Sequence, residues 1–92
     1  MGYYVKAYIA AYQDLSNLYK ETWFQLEDDN ADNDLVDAIK KTDGFIKYGG
    51  WIQTQMLKLS NKYQDTLFKL YCEDDIEATR WVEFYLNDKS VS

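Results

Sequence analysis

The chain has 92 residues, 47% of them hydrophobic and 17% aromatic, which is enough apolar material for one domain with a buried core. This composition excludes a disordered chain, and a single cysteine, Cys72, excludes an internal disulfide. Because histidine is absent, the usual zinc site and histidine-based acid–base catalysis are excluded, and the net charge of −6 disfavours direct binding to nucleic acid.

The first predicted element is a long amphipathic helix that covers residues 4–26. Its apolar residues recur at alternating steps of four and three, and its polar residues fall on the opposite side. The positions on this stripe are Tyr4, Tyr8, Ala11, Leu15, Leu18, Thr22 and Leu26. The tyrosines are therefore predicted to lie in a helix interface. A period of two is visible in "ETWFQL", so a strand is the alternative there.

Three further helices are predicted along the chain. The second is "LVDAIKK", with Asp32 or Asn33 as its cap and Gly44 as a stop signal. The third follows an apolar stripe from Phe45 to Leu70, and the break before it falls at Asp43–Gly44 or at Gly49–Gly50. The fourth is "IEATRWVEFYLND", whose apolar side would consist of Ala78, Trp81, Val82 and Tyr85.

An internal repeat connects these elements. The stretch "LSNLYKETWFQL" at residues 15–26 returns as "LSNKYQDTLFKL" at residues 59–70, with seven identical positions. We predict a single domain over residues 1–92, with one repeat over about 3–43 and the other over about 44–88. The predicted fold is all-α, a four-helix bundle of two tandem helical hairpins. The alternative is an α+β fold with a tandem ββα repeat, in which the strands would be "YYVKAYIAAY", "ETWFQL", "WIQTQMLKL" and "TLFKLY".

Acidic residues follow the first and the third predicted helix. In an up-and-down bundle these two turns lie at the same end, where they form one acidic pole. The predicted partner-binding residues are the acids of this pole and two aromatic residues at its edge: Glu27, Asp28, Asp29, Asp32, Asp34, Glu73, Asp74, Asp75, Trp23 and Tyr71. The structural alternative is a solvated charged end that only keeps the chain in solution.

These features predict a protein that acts by stoichiometric binding and is not an enzyme. Its expected partner is a basic protein such as a nuclease or a nucleic-acid-binding factor, which it would inhibit as a viral or mobile-element protein of the counter-defence, DNA-mimic or immunity type. Direct nucleic-acid binding, a membrane partner and a cofactor are not expected, and the predicted location is cytoplasmic. The alternative is a structural or regulatory helical oligomer, and a homodimer is left open.

A calcium loop is the nearest match to a metal site. The stretch "DDNADNDLVDAI" places acidic and amide side chains at several ligand positions of such a loop. However, Ile39 stands where the bidentate glutamate is required, and Asn33 stands where the turn needs glycine. No metal site is predicted.

Overall fold

The computed structural model describes residues 4–12, 22–23, 33–74 and 79–91, with the backbone alone for residues 22–23. In chain order, the elements are β1 (Tyr4–Tyr12), β2 (Thr22–Trp23), α1 (Asp34–Thr42), β3 (Phe45–Lys47), α2 (Trp51–Lys62), β4 (Leu67–Asp74), β5 (Thr79–Leu86) and β6 (Lys89–Val91). The strands form one antiparallel sheet in the order β2-β1-β4-β5-β6, and β3 pairs with the same edge of β1 as β2. The fold is α+β and is dominated by the sheet.

The prediction of an all-α helical bundle is wrong. The first predicted helix contains β1, and the fourth contains β5. Both segments are rich in aromatic and β-branched residues, which favour strands, and β1 carries only one charged residue, so its apolar residues fit either period. The tandem ββα alternative names β1 and β4 correctly as strands. It fails at "WIQTQMLKL", because that segment lies in α2.

The strands β1 and β4 form the centre of the sheet. They pair from Lys6 opposite Glu73 to Tyr12 opposite Leu67, and β4 pairs on its other side with β5 from Asp74 opposite Thr79 to Phe68 opposite Tyr85. One face, which we call the core face, packs against the helices. Its side chains join those of α1 and α2 in a single apolar core: Val5, Ala7, Ile9, Ala11, Ile46, Phe68, Leu70, Cys72 and Tyr85.

Helix α1 confirms one of the two predicted caps. The Asn33 side-chain oxygen accepts hydrogen bonds from the backbone N–H groups of Leu35 and Val36, each at 3.1 Å. The Asn33 amide nitrogen also donates to the Gln55 carbonyl at 2.9 Å, which joins the start of α1 to the middle of α2. Asn33 is buried, so the cap both begins the helix and positions it against its neighbour.

Both predicted breaks between the second and third helices are present, with the short strand β3 between them. Helix α1 ends at Thr42, where Asp43 adopts a left-handed conformation with φ of 56°, and α2 begins after Gly50. Gly44 has φ of 93°, and its carbonyl accepts a 2.7 Å hydrogen bond from the Ala7 N–H. A Cβ at Gly44 would lie 2.7 Å from the Ala7 carbonyl oxygen, so only glycine fits between α1 and β1.

The turn between β5 and β6 consists of Asn87 and Asp88. Both have positive φ, 50° and 65°, as a two-residue type I′ hairpin requires. The Asp88 N–H donates to the Ser60 hydroxyl at 2.9 Å, and the Asn87 side-chain oxygen accepts a bond from the Asp65 N–H at 2.7 Å. These contacts fasten the C-terminal end of α2 to the hairpin. Neither helix in the described part of the chain is long and apolar enough to cross a membrane.

Candidate partner-binding surface

The sheet face opposite the core face is a surface of aromatic and cationic side chains. Residues paired across antiparallel strands point to the same face, so the register of the strands identifies the residues on this surface. We call it the open face and define it as Tyr4, Lys6, Tyr8, Phe45, Lys47, Lys69, Tyr71, Glu73, Arg80, Val82, Phe84 and Lys89. Within the described ranges, no helix packs against it. The definition leaves out five apolar or buried residues that point the same way: Ala10 and Tyr12, which are buried, and Leu67, Leu86 and Val91, which are partly buried.

The aromatic rings of the open face are arranged in stacked pairs. Tyr8 and Tyr71 lie on the two central strands with ring centroids 4.7 Å apart and an interplanar angle of 23°. Tyr4 and Phe45 stack at 5.8 Å and 8°, and these two rings are 51% and 47% exposed. Each pair presents a preformed apolar contact to solvent. Large exposed apolar side chains that are held in place in this way are typical of binding surfaces.

Charge is distributed unevenly between the open face and the rest of the chain. Among the described residues, the open face holds five of the nine basic residues, Lys6, Lys47, Lys69, Arg80 and Lys89, but one of the eight acidic residues, Glu73. Glu73 pairs with Arg80, with 3.4 Å between Oε1 and Nε, and the Arg80 side chain is 67% exposed. The open face is therefore positive although the chain as a whole is negative.

Five of the ten predicted partner-binding residues, Glu27, Asp28, Asp29, Asp32 and Asp75, lie outside the described residues. Trp23 lies in β2, where only its backbone is described. Asp34 is exposed in the first turn of α1, in the helical layer, whereas Glu73 and Tyr71 lie on the open face across the sheet. Asp74 is 7% exposed and points to the core-face side of β4. The bundle geometry that was expected to gather these acids at one end does not exist in this fold.

Sequence reasoning missed most of the open face, because it assigned Tyr4 and Tyr8 to a helix interface. The signal that could have found it is a period of two with cations between aromatics. This signal is present in Tyr4-Lys6-Tyr8 and again in Lys69-Tyr71. Of the predicted site residues, Tyr71 lies at the centre of the surface.

A second polar cluster lies on the core-face side of β5. The Glu83 carboxylate accepts hydrogen bonds from Trp81 Nε1 at 3.1 Å and from the Tyr85 hydroxyl at 2.5 Å. The Tyr48 ring meets Trp81 edge to face at 5.5 Å. Glu83 thus satisfies the polar atoms of two aromatic side chains that are packed into the core, which is a structural role.

Cys72 lies on β4 beside this cluster and is fully buried. Burial, followed by the negative charge of Glu83, raises the pKa of its thiol to about 12. Burial and the hydrogen bond to Glu83 also raise the pKa of the Tyr85 hydroxyl. Because the thiolate is the nucleophilic form, Cys72 is held in its unreactive state at neutral pH. Among the described residues, no group of three or more side chains could hold a metal ion.

The fold and the open face define a class of architecture: an antiparallel sheet with two helices on one face and an aromatic and cationic surface on the other. Comparison with protein-family models, with curated proteins and with solved structures finds no match.

Proposed function

We propose that the chain is a protein-binding protein that acts by stoichiometric association and not by turnover, and that the open face is its contact surface. The observation that supports the proposal is the set of exposed, stacked aromatic rings beside cations. Aromatic residues and arginine are enriched where protein interfaces are most strongly held. Tyr4, Phe45 and Val82 are 51%, 47% and 39% exposed, so a partner can cover apolar area that the fold leaves in water.

The test is affinity capture from cell lysate with the wild type and with a Tyr4→Ser, Phe45→Ser variant. Because both rings are about half exposed, the variant should fold, and circular dichroism checks this. A control variant, Thr54→Ser with Lys58→Ser, carries two substitutions at exposed positions of α2. We expect one protein to be captured by the wild type and the control but lost by the open-face variant, in a complex of fixed stoichiometry by native mass measurement.

Equal capture of the same protein by all three baits would show that the open face is not the contact surface. If the chain instead forms a discrete oligomer and captures no other protein, a structural or regulatory oligomer becomes the better account. If that assembly is a dimer lost by the open-face variant, the open face is a homodimer contact.

A second candidate function retains the partner class expected from the acidic residues, a basic, nucleic-acid-handling protein that is inhibited by binding. The observation that favours it is the density of acids in residues 24–32, where four of nine residues are acidic and none is basic. Such a segment would speed association with a basic surface. The test replaces Glu27, Asp28, Asp29 and Asp75 by their amides. Capture of a basic partner should weaken in this variant and in high salt for the wild type, whereas unchanged capture in both would reject this candidate.

We place this binding in the cytoplasm as part of the proposal. A chain with one cysteine needs no oxidising compartment to complete its fold, and Cys72 is buried as a free thiol. Fractionation of cells that produce the chain with a small epitope tag would test the location. Recovery in the membrane or secreted fraction would overturn it.

A further inference from the structure

We infer that the open face binds an acidic segment of its protein partner, laid across the strands. The inference rests on the proposed function, since it takes the open face as the contact surface, and it adds the chemistry of what binds there. The charge of the open face carries the inference, because it has the opposite sign to the charge of the whole chain.

The register of the sheet places an apolar row between two rows that contain cations. Tyr8, Tyr71 and Val82 lie side by side on β1, β4 and β5. Strands are about 4.8 Å apart, and residues two apart along a strand are about 6.8 Å apart. The row therefore spans about 10 Å, and the rows on either side lie about 7 Å from it.

One flanking row carries the groups that would receive carboxylates. In this row, Lys6 and Arg80 lie on either side of Glu73. The Glu73–Arg80 ion pair shows that a carboxylate fits beside this guanidinium. That contact uses Nε, so the two terminal nitrogens of Arg80 lie outside it and remain suited to a second carboxylate. A segment with an apolar residue over Tyr71 and acids beside Lys6 and Arg80 matches this pattern.

A single-stranded nucleic acid is the other polyanion that aromatic and cationic surfaces bind. It stacks its bases on the free faces of aromatic rings. Here the rings of the central pair cover one another at 4.7 Å, which removes one face of each ring from stacking. A nucleic acid also carries one charge per nucleotide along its whole length and would be repelled by a chain of net charge −6. A short acidic protein segment can place a few carboxylates beside the cations without a charge at every residue. The net charge of the chain therefore repels it less, and we favour the protein segment over nucleic acid.

The experiment is selection from a random peptide library displayed on phage, with the wild-type chain as bait. Enriched peptides are synthesised with a fluorescent label, and their affinities are measured by anisotropy at low and high salt. Two matched variants each reverse a pair of exposed lysines: Lys6→Glu with Lys47→Glu on the open face, and Lys40→Glu with Lys41→Glu on α1. A labelled single-stranded oligothymidylate is measured in parallel.

We expect acidic peptides that contain an apolar residue, and binding at least about 10-fold weaker to the open-face variant than to the α1 variant at low salt, with a smaller ratio at high salt. Enrichment of neutral or basic peptides that still require Tyr4 and Phe45 would overturn the inference but leave the proposed function standing. Peptides that bind all variants alike, or no enrichment, would overturn both. Tighter binding of the oligothymidylate, lost in the open-face variant, would assign the surface to nucleic acid.

Discussion

The two faces of the sheet come from the same strands but carry different chemistry. Along β4, Phe68, Leu70 and Cys72 point to the core face and are 0% exposed, whereas Lys69, Tyr71 and Glu73 alternate with them and are only partly buried. The core face is nearly all apolar, and the open face mixes aromatics with cations. The comparison indicates that the core face determines stability, whereas the open face keeps aromatic rings and cations in contact with solvent, since a period of two separates the side chains of the two faces.

A cavity on the core face should lower the stability of the protein most. Phe68→Ala should lower the free energy of unfolding by about 3–5 kcal/mol, because a fully buried ring is lost and its neighbours cannot fill the space. Urea unfolding monitored by circular dichroism measures this loss. Val82→Ala, the matched change on the open face, should cost less than about 1 kcal/mol, because Val82 is 39% exposed. Similar losses in the two variants would contradict the difference between the faces.

The next largest effect concerns the turn that fixes β1 against α1. Gly44→Ala should destabilise the protein by about 1–3 kcal/mol, because alanine disfavours a φ of 93° and its Cβ would clash with the Ala7 carbonyl. Gly50→Ala is the control, since its φ is −62° and no atom lies within 4 Å of the added Cβ. Thermal unfolding should show a clear loss for Gly44→Ala and no loss for Gly50→Ala. An unfolding temperature of Gly44→Ala equal to that of the wild type would show that β1 can shift to make room for the Cβ without loss of stability.

A pH titration tests the burial of the Cys72 thiol on the core face. The pKa of Cys72 is raised from 9.0 to about 12, so between these values the unfolded chain loses a proton that the folded chain keeps. The contribution of this thiol to the free energy of unfolding is therefore fully present below about pH 9. It falls as pH rises toward 12, by at most about 1.4 kcal/mol per pH unit. The raised pKa of Tyr85 acts in the same direction. Urea unfolding at rising pH should show a shallower decline for Cys72→Ala, and parallel curves would reject the assignment.

The smallest effect is expected on the open face. Glu73→Gln removes the charge that faces Arg80, whose side chain is 67% exposed, and solvent screens such a pair. We expect a change in unfolding free energy of no more than about 0.5 kcal/mol. The same substitution leaves the open face with no acid, so acidic peptides should bind more tightly to it. Weaker binding of those peptides would show that Glu73 itself contacts the ligand.

The parts of this fold that were predictable from the sequence are those with local signals. Asn33 stands before an amphipathic segment and caps α1, and the glycines at positions 44 and 50 mark the two ends of the β3 segment. The hairpin at Asn87–Asp88 also has a local signal, but the helical stripe assigned through Tyr85 concealed it. The two residues of this turn both adopt positive φ, which asparagine and aspartate tolerate best after glycine.

The sheet itself depends on contacts between residues far apart in sequence. β1 pairs with β4 about sixty residues later, and nothing in "YVKAYIAAY" alone determines that pairing. The repeat at residues 15–26 and 59–70 misled the fold prediction for a related reason. Its second copy begins in α2 and ends in β4. Residues 59–70 were therefore predicted to form one helix, whereas the chain forms a helix, a turn and a strand there.

The position of Cys72 gives the molecule a built-in reporter of its own opening. The thiol lies on a central strand between Ala7 and Trp81, fully shielded, and it is the only cysteine in the chain. Alkylating reagents reach the thiol only when the core around it opens, so the labelling rate reports how often the core opens. Because the open face shares β4, a bound partner that holds this strand in place should slow the labelling. Binding of a partner at the open face would thus be detected as slower alkylation of a thiol on the core face.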